Sequence, residues 1–256
     1  MTEQRWPDRL WVVRHGESAG NVARDAAYAA NLAVIDVAER DVDVPLSALG
    51  EEQARALGRW FAAQPGEERP TTVLASPYLR ARETASLVQD AGAMETASPM
   101  LVDERLREKE FGILDRLTKL GIEQQFPDQA MLRRRIGKFY YRPPGGESWC
   151  DVILRLRSVL DTVSLHHSQP GDRVLIVAHQ VIVLCLRYLI ENMTEAQILA
   201  IDREADVANC GITAYSLDRD AAPGGALRLT AYNFVAPLEQ AGAPVTTSPD
   251  APAGAK

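Results

Sequence analysis

The chain alternates short apolar runs with longer amphipathic stretches. LWVV, from Leu10, and VLIVA, from Val174, are continuous apolar segments of the kind found in strands that are covered on both faces. After Ser47 and again after Glu147, apolar residues recur at helical spacing. Shorter runs predict further strands at Thr72 to Ala75, at Met100 to Val102, and at two edge strands, Ile212 to Leu217 and Leu227 to Tyr232. Strands that alternate with helices indicate an α/β protein, with a mostly parallel sheet and helices on both faces.

Local signals place several helix boundaries. Ser47 is a predicted N-cap, since acidic residues follow it in the first turn of an amphipathic pattern. Ser76 is a second predicted cap, with Pro77 in the first turn of its helix. A third helix is expected from about Val181 to Glu191, directly after the most apolar strand.

Three regions interrupt this alternation. Residues 22–43 and 113–144 are long insertions, which in a compact domain usually cover a site. The segment from about Glu239 is rich in Ala, Pro, Thr and Gly, a composition that favours disorder. We therefore expect one domain over residues 1–238 and a disordered tail over residues 239–256.

Composition excludes several classes of function. The chain has 256 residues, a net charge of −7 and an isoelectric point near 5.2, which argues against nucleic-acid or membrane binding through bulk charge. The three cysteines match no metal-binding spacing, and no HExxH, EF-hand or P-loop motif is present, so neither a metal nor a cofactor is expected. A cytoplasmic location is the expectation from this cysteine content and from an N-terminus without a signal-peptide pattern. The sequence gives no prediction of an oligomeric state.

Four polar residues follow predicted strands, where a core would not place them. Arg14 and His15 follow the first strand, Arg80 lies one turn into the helix after the second, and His179 ends the most apolar strand. Open parallel sheets bind ligands at the carboxyl ends of their strands, so these side chains should converge. Two guanidinium groups suit phosphate oxygens and two imidazoles titrate near neutral pH. The pattern indicates a site for a phosphorylated ligand.

Five segments carry a family resemblance: RHGESAGN, SPYLRARETA, RLREKEFG, GGES and VAHQ. In this order they resemble the histidine phosphatase superfamily, also called the phosphoglycerate mutase-like family, over about residues 10–217. The resemblance implies a phosphoglycerate mutase-like three-layer sandwich. It also implies a phosphohistidine mechanism in which His15 is the nucleophile. Arg14, Arg80 and His179 would then surround the phosphoryl oxygens, and Asn21 would add a neutral donor.

The same resemblance points to a general acid. The RLREKEFG segment aligns Glu108 with the family's catalytic carboxylate, which would protonate the leaving alkoxide and then activate water. Glu104 and Glu110 are the alternatives, because this stretch is rich in acids.

Further positions resemble substrate-binding residues of the family. Lys119 falls where mutases carry a substrate-binding lysine, and an arginine cluster precedes a Pro-Pro pair as it does in mutases. Gln180 resembles the His-Gln pair of the fructose-2,6-bisphosphatase branch. The candidate substrate-binding residues are Ser18, Lys119, Arg133, Arg134, Arg135 and Gln180.

The departures from the mutase pattern decide between the activities. The mutase stretch that shapes the glycerate pocket is replaced by the longer segment from Val22, and Gln180 and Val181 replace the usual Gly pair. We therefore expect a phosphomonoesterase (a hydrolase) that acts on a small phosphorylated metabolite. A cofactor-dependent phosphoglycerate mutase is the first alternative. A non-catalytic phosphate-sensing or scaffold protein is the second.

Overall fold

The computed structural model describes residues 4–94 and 100–248. Within them the strands are β1 (Arg9–Arg14), β2 (Thr72–Ala75), β3 (Leu101–Val102), β4 (Arg173–Ala178), β5 (Ile212–Asp218) and β6 (Ala226–Phe234). The α-helices are α1 (Ala19–Ala29), α2 (Ala48–Ala62), α3 (Leu79–Asp90), α4 (Lys119–Gln125), α5 (Pro127–Ile136), α6 (Trp149–His166), α7 (Gln180–Ile190), α8 (Glu195–Glu204) and α9 (Ala236–Ala241). No helix of the described residues is long and apolar enough to cross a membrane.

The strands form one sheet in the order β3-β2-β4-β1-β5-β6. β1, β4, β2 and β3 pair in parallel, whereas β5 is antiparallel to β1 and β6 is antiparallel to β5. The mostly parallel α/β sheet is therefore confirmed. The prediction of two edge strands is wrong for β5, which is hydrogen-bonded on both sides, and right for β6, which lies at one edge of the sheet.

Alternate residues of β1 divide the core into two layers. Leu10 and Val12 face one cluster of buried side chains, which α6 and α7 complete. Trp11 and Val13 face the opposite cluster, to which α2 and α3 contribute. Helices therefore cover both faces of the sheet, which gives the three-layer architecture that the resemblance implied.

The two predicted helix caps have different outcomes. Ser47 caps α2 as predicted, since its side chain accepts a hydrogen bond from the Gly50 main-chain N–H. Ser76 does not cap α3, which begins at Leu79 with Tyr78 at the N-cap. The Ser76 hydroxyl instead lies 2.8 Å from His179 Nε2, because Ser76 directly follows β2 and α3 begins three residues later.

The two insertions touch each other. Residues 22–43 continue α1 and end in a 3-10 helix at Asp41–Asp43, while residues 113–144 contain α4 and α5. Val34 forms an isolated antiparallel bridge with Leu117. At this junction Gly121 lies so close to Ala33 that a Cβ atom would be 1.9 Å from the Ala33 carbonyl oxygen. A side chain at position 121 would therefore separate the insertions.

The C-terminal segment is structured where disorder was expected. α9 reaches residue 241, and the side chain of Leu238 is fully buried beside α2. Beyond the helix, Gln53 Nε2 donates to the Pro244 carbonyl at 2.9 Å, and the Asn209 N–H donates to the Thr246 carbonyl at 2.9 Å. The prediction of disorder is thus wrong for residues 239–248, because a buried leucine and amide partners hold this segment. Residues 249–256 lie outside the described residues.

Candidate active site

The carboxyl ends of β1 and β4 bring two histidines together. His15 follows β1 and His179 follows β4, and both side chains are fully buried. The centroids of their rings are 5.2 Å apart. Because β1 and β4 are neighbouring parallel strands, the residue that follows each one lies at the same edge of the sheet.

The hydrogen bonds of His15 fix which of its ring nitrogens carries a proton. Its Nδ1 lies 2.6 Å from the Gly16 carbonyl oxygen, which can only accept, so Nδ1 must donate. Its Nε2 accepts from Arg80 Nε at 3.3 Å. In the neutral ring the lone pair is therefore on Nε2. A nucleophilic histidine attacks an electrophile through a ring nitrogen that carries such a lone pair.

Arg80, on the first turn of α3, connects several parts of the site. Besides its bond to His15, its Nη1 forms an ion pair of 3.0 Å with Asp41 of the first insertion. Its guanidinium lies 4.9 Å from the ring centroid of Tyr78, whose ring in turn packs 5.1 Å from that of His179. Burial, together with the Asp41 and Glu110 carboxylates, raises the pKa of Tyr78, so this hydroxyl stays protonated.

Arg14 and Asn21 are held together by the C-terminal segment. Arg14 Nη1 donates to the Val207 carbonyl at 2.6 Å, and Nη2 donates to the Ser248 carbonyl. Asn21 Nδ2 donates to the same Ser248 oxygen at 3.2 Å. Both side chains are buried. A single oxygen thus accepts from the two donors that the resemblance assigns to a phosphoryl group.

The three candidate acids differ in exposure. Glu108 is only 1% exposed, and its Oε1 accepts from the Lys109 N–H at 2.6 Å. Glu104 and Glu110 are both exposed. Glu110 nevertheless accepts a hydrogen bond of 3.1 Å from the Tyr78 hydroxyl, which places it one side chain away from His179. Glu108 is thus the buried candidate among the three acids.

A polar cavity opens beside Asn21 and Arg80. Its wall comes from α1, the first insertion, the start of α3 and the Asp115–Arg116 turn of the second insertion. The lining residues are Ser18, Gly20, Asn21, Arg24, Ile35, Val37, Glu39, Asp41, Val44, Arg80, Asp115 and Arg116. The insertions therefore form the wall of a cavity that reaches Asn21 and Arg80.

The candidate substrate-binding residues do not lie together. Ser18 caps α1 and lines the cavity, and its main-chain N–H and hydroxyl both donate to Asn21 Oδ1. Gln180 is buried and donates to Asp206 at 2.9 Å. Lys119 is exposed at the start of α4. It is absent from the cavity wall, which lies within the described residues.

The arginine cluster divides at the end of α5. Arg133 is half-buried, and burial lowers its pKa, whereas Arg134 and Arg135 are exposed. Arg134 forms only a long surface ion pair of 3.9 Å with Glu123. The charge of Arg133 acts on Lys109, a side chain that is 7% exposed and whose pKa burial lowers to about 8. Arg133 is thus the partly buried member of the cluster.

Several residues at the site escaped the sequence analysis. Asp41 forms an ion pair with Arg80, and the Tyr78 ring packs against His179. Asn209 donates to the His15 carbonyl and accepts from the Thr246 hydroxyl. The position of Asn209 could have been predicted in part, because it lies just before β5, which is antiparallel to β1. An antiparallel neighbour begins at the edge where β1 ends. The positions of Asp41 and Thr246 could not, because short polar residues in a loop or tail have no periodic pattern.

Comparisons with known proteins agree with this geometry. The profile of the "Histidine phosphatase superfamily (branch 1)" matches residues 10–223. A phosphoglycerate mutase-like protein of Arabidopsis thaliana is 29% identical over 221 residues, which are 80% of this chain and 72% of the relative. A 2,3-bisphosphoglycerate-dependent phosphoglycerate mutase of Methylobacterium radiotolerans is 30% identical and covers 74% of this chain and 82% of its own.

Phosphatases are also among the similar proteins. A probable fructose-2,6-bisphosphatase of Schizosaccharomyces pombe is 31% identical over 72% of this chain, which corresponds to 38% of that longer protein. Among solved structures, the mycobacterial glucosyl-3-phosphoglycerate phosphatase in complex with vanadate superimposes with a TM-score of 0.67. Its sequence is 26% identical, and the alignment covers 89% of this chain and 99% of that one. Mutases and phosphatases thus share this scaffold.

Proposed function

Because the chain belongs to the histidine phosphatase superfamily, we propose that it is a phosphomonoesterase that hydrolyses a small phosphorylated metabolite through a phosphohistidine on His15. The observation that carries this proposal is the pair of hydrogen bonds on His15. They require the proton of the neutral ring to be on Nδ1 and its lone pair to be on Nε2. The Arg80 guanidinium beside Nε2 supplies positive charge at the atom where an incoming phosphoryl group would bind.

In the first step Nε2 of His15 attacks phosphorus and forms a P–N bond while the bond to the leaving oxygen breaks. Glu108 gives its proton to that oxygen, so that an alcohol leaves rather than an alkoxide. Arg80 and His179 donate to the phosphoryl oxygens, whose charge redistributes in the transition state. Arg14 and Asn21 join them by exchanging the Ser248 carbonyl, which both bind in this structure, for a phosphoryl oxygen. Their burial strengthens these interactions, because little water competes for them.

In the second step the Glu108 carboxylate takes a proton from water, and the water oxygen attacks phosphorus. The P–N bond breaks, inorganic phosphate leaves, and His15 recovers its lone pair. Glu108 again carries a proton and can serve the next cycle. No step uses a metal ion, because the arginines and histidines meet the charge of the phosphoryl group.

Two observations favour hydrolysis over mutase activity. Lys119 and two of the three clustered arginines are exposed to solvent. The positions that resemble substrate-binding residues of mutases therefore do not form one buried binding site. The structural similarity to a glucosyl-3-phosphoglycerate phosphatase extends over 89% of the chain. We propose phosphorylated sugar acids as the first substrates to test. We also propose a cytoplasmic location, since all three cysteines are free thiols.

The proposal is tested by turnover of p-nitrophenyl phosphate, with His15→Ala as the decisive variant. We expect hydrolysis by the native protein and a loss of about 10⁴-fold or more in kcat for the variant. His166→Ala is the matched control, because His166 is exposed at the end of α6. Acid-labile phosphate on His15, trapped by rapid quenching and located by mass spectrometry, identifies the intermediate. Interconversion of 2- and 3-phosphoglycerate faster than phosphate release would favour the mutase instead.

A further inference from the structure

Asn209 lies at the centre of a buried hydrogen-bond network behind the candidate phosphate site. The side chain is fully buried, and it precedes β5 at the edge where β1 ends. Its Nδ2 donates to the His15 carbonyl at 3.0 Å and lies 3.5 Å from Asn21 Oδ1. Its Oδ1 accepts from the Thr246 hydroxyl at 3.0 Å. One carboxamide therefore connects the candidate nucleophile, a candidate phosphate ligand and the C-terminal segment.

Main-chain groups fix the orientation of both asparagine side chains. The Ser18 N–H can only donate, and it lies 2.9 Å from Asn21 Oδ1, so this atom must be the oxygen. The Asn21 NH₂ group is then directed to the Arg14 side of the site, where it meets the Ser248 oxygen. The His15 carbonyl can only accept, so Asn209 must present its own NH₂ group to it.

The far end of the network is fixed in the same way. The Glu17 N–H donates to Gln53 Oε1 at 2.8 Å, which leaves Gln53 Nε2 to donate to Thr246 Oγ1 at 3.0 Å. Because Thr246 Oγ1 accepts there, its single proton is available for Asn209 Oδ1. The hydrogen bonds therefore all run in one direction, from Glu17 through the buried side chains to Asn21.

We propose that Asn209 is a positioning residue for phosphoryl binding. It adds a further donor, beside the Ser18 N–H, at Asn21 Oδ1, so that Asn21 presents its NH₂ group as a donor. Gln53 and Thr246 support the Asn209 carboxamide through its Oδ1. A reversed Asn21 would direct an oxygen at the phosphoryl group and repel it. This inference rests on the proposed function, since the ligand of Asn21 is taken to be a phosphoryl group. The network also gives the buried amides of Gln53 and Asn209 hydrogen-bond partners.

The test is the dissociation constant of inorganic phosphate, measured by isothermal titration calorimetry without turnover. Asn209→Asp keeps the shape of the side chain but replaces the NH₂ donor by an oxygen, and we expect it to raise the constant about tenfold or more. Asn192→Asp is the control, because it adds the same charge at an exposed position after α7. Asn209→Leu, which adds no charge, should weaken phosphate binding as well. A constant unchanged in both Asn209 variants would overturn the proposal.

A double-mutant cycle with Asn21→Ala separates positioning from charge repulsion. If Asn209 acts through Asn21, Asn209→Asp should change the phosphate constant less than about twofold once Asn21 is alanine. A loss that persists in the Asn21→Ala protein would contradict the inference, as would a fall in melting temperature with unaltered phosphate binding.

Gln53→Glu gives an independent test from the other end of the network. It retains the acceptor for Glu17 but removes the donor to Thr246, so we expect about threefold weaker phosphate binding. Gln64→Glu, after the end of α2, is the matched control. No change in Gln53→Glu would exclude it from the network. The proposed function stands or falls separately, by whether the native protein hydrolyses phosphate esters at all.

Discussion

The strand edge and the second insertion contribute to the site in different ways. At the strand edge, His15, Arg80 and His179 are buried and touch one another or shared neighbours. In the second insertion the clustered arginines lie on the last turn of α5, where two of the three are exposed. The residues proposed for phosphoryl transfer thus follow buried strands of the sheet, whereas the arginines proposed to bind a second anion lie on a short helix near solvent.

After the loss expected for His15→Ala, the largest expected effect concerns the candidate acid Glu108. Glu108→Gln should slow hydrolysis of alkyl phosphates by about 10² to 10⁴-fold, since the leaving alkoxide would depart without a proton. p-Nitrophenyl phosphate should be affected less, because its leaving group is already stable. Steady-state kcat on both esters measures the difference. Glu123→Gln, at an exposed position of α4, is the control. An equal loss on both esters in Glu108→Gln would shift the role of acid to Glu104 or Glu110.

A smaller effect is expected in the second insertion. Arg133→Ala should raise KM about tenfold for substrates with a second anionic group, because a partly desolvated guanidinium contact is lost. p-Nitrophenyl phosphate has no second anion and should be unaffected. Arg135→Ala is the matched control, since Arg135 is exposed. An unchanged KM for bisphosphates in Arg133→Ala would show that the end of α5 is a solvated surface with no role in substrate binding.

Lys109 should make the stability of the folded protein depend on pH. Burial lowers the pKa of Lys109 from 10.5 to about 8 in the folded protein. Below pH 8 the folded state must bury a charge; between pH 8 and 10.5 it sheds the proton while the unfolded chain still binds one. The native protein should therefore gain stability relative to Lys109→Met as pH rises through this window, by a few kcal/mol. Melting curves of both proteins test the sign, and a constant difference across the window would refute it.

The smallest expected effect is that of metal removal. The guanidinium groups at the strand edge take the place of a cation, so EDTA should leave kcat unchanged. Loss of activity on chelation, with recovery on addition of a divalent ion, would contradict the mechanism at the strand edge and leave the role of the insertion untouched.

The difference between the two regions also explains what the sequence could predict. A buried parallel strand fixes the position of the next residue, so His15 and His179 could be placed side by side from the apolar runs before them. Ser76 was assigned as a helix cap, because a serine before a proline has the same local pattern whether it caps a helix or meets a histidine. Asp41 could not be assigned, since its contact with Arg80 depends on how an insertion folds back.

The contacts of the C-terminal segment determine how late in translation the site of His15 can be completed. The Ser248 carbonyl contacts Arg14, a residue 234 positions earlier, and Asn209 contacts His15 across 194 positions. Strand β1 can pair with β4 before residue 209 leaves the ribosome, but the surroundings of His15 cannot be completed at that stage. Such long-range contacts form late, because the intervening chain must first fold. We therefore expect nascent chains to gain a sheet well before they gain a finished phosphate site, which would keep incomplete molecules from acting on cellular phosphate esters. Ribosome-bound chains stalled just after β5 and full-length chains released from the ribosome, compared for hydrolysis of p-nitrophenyl phosphate, would reveal this order.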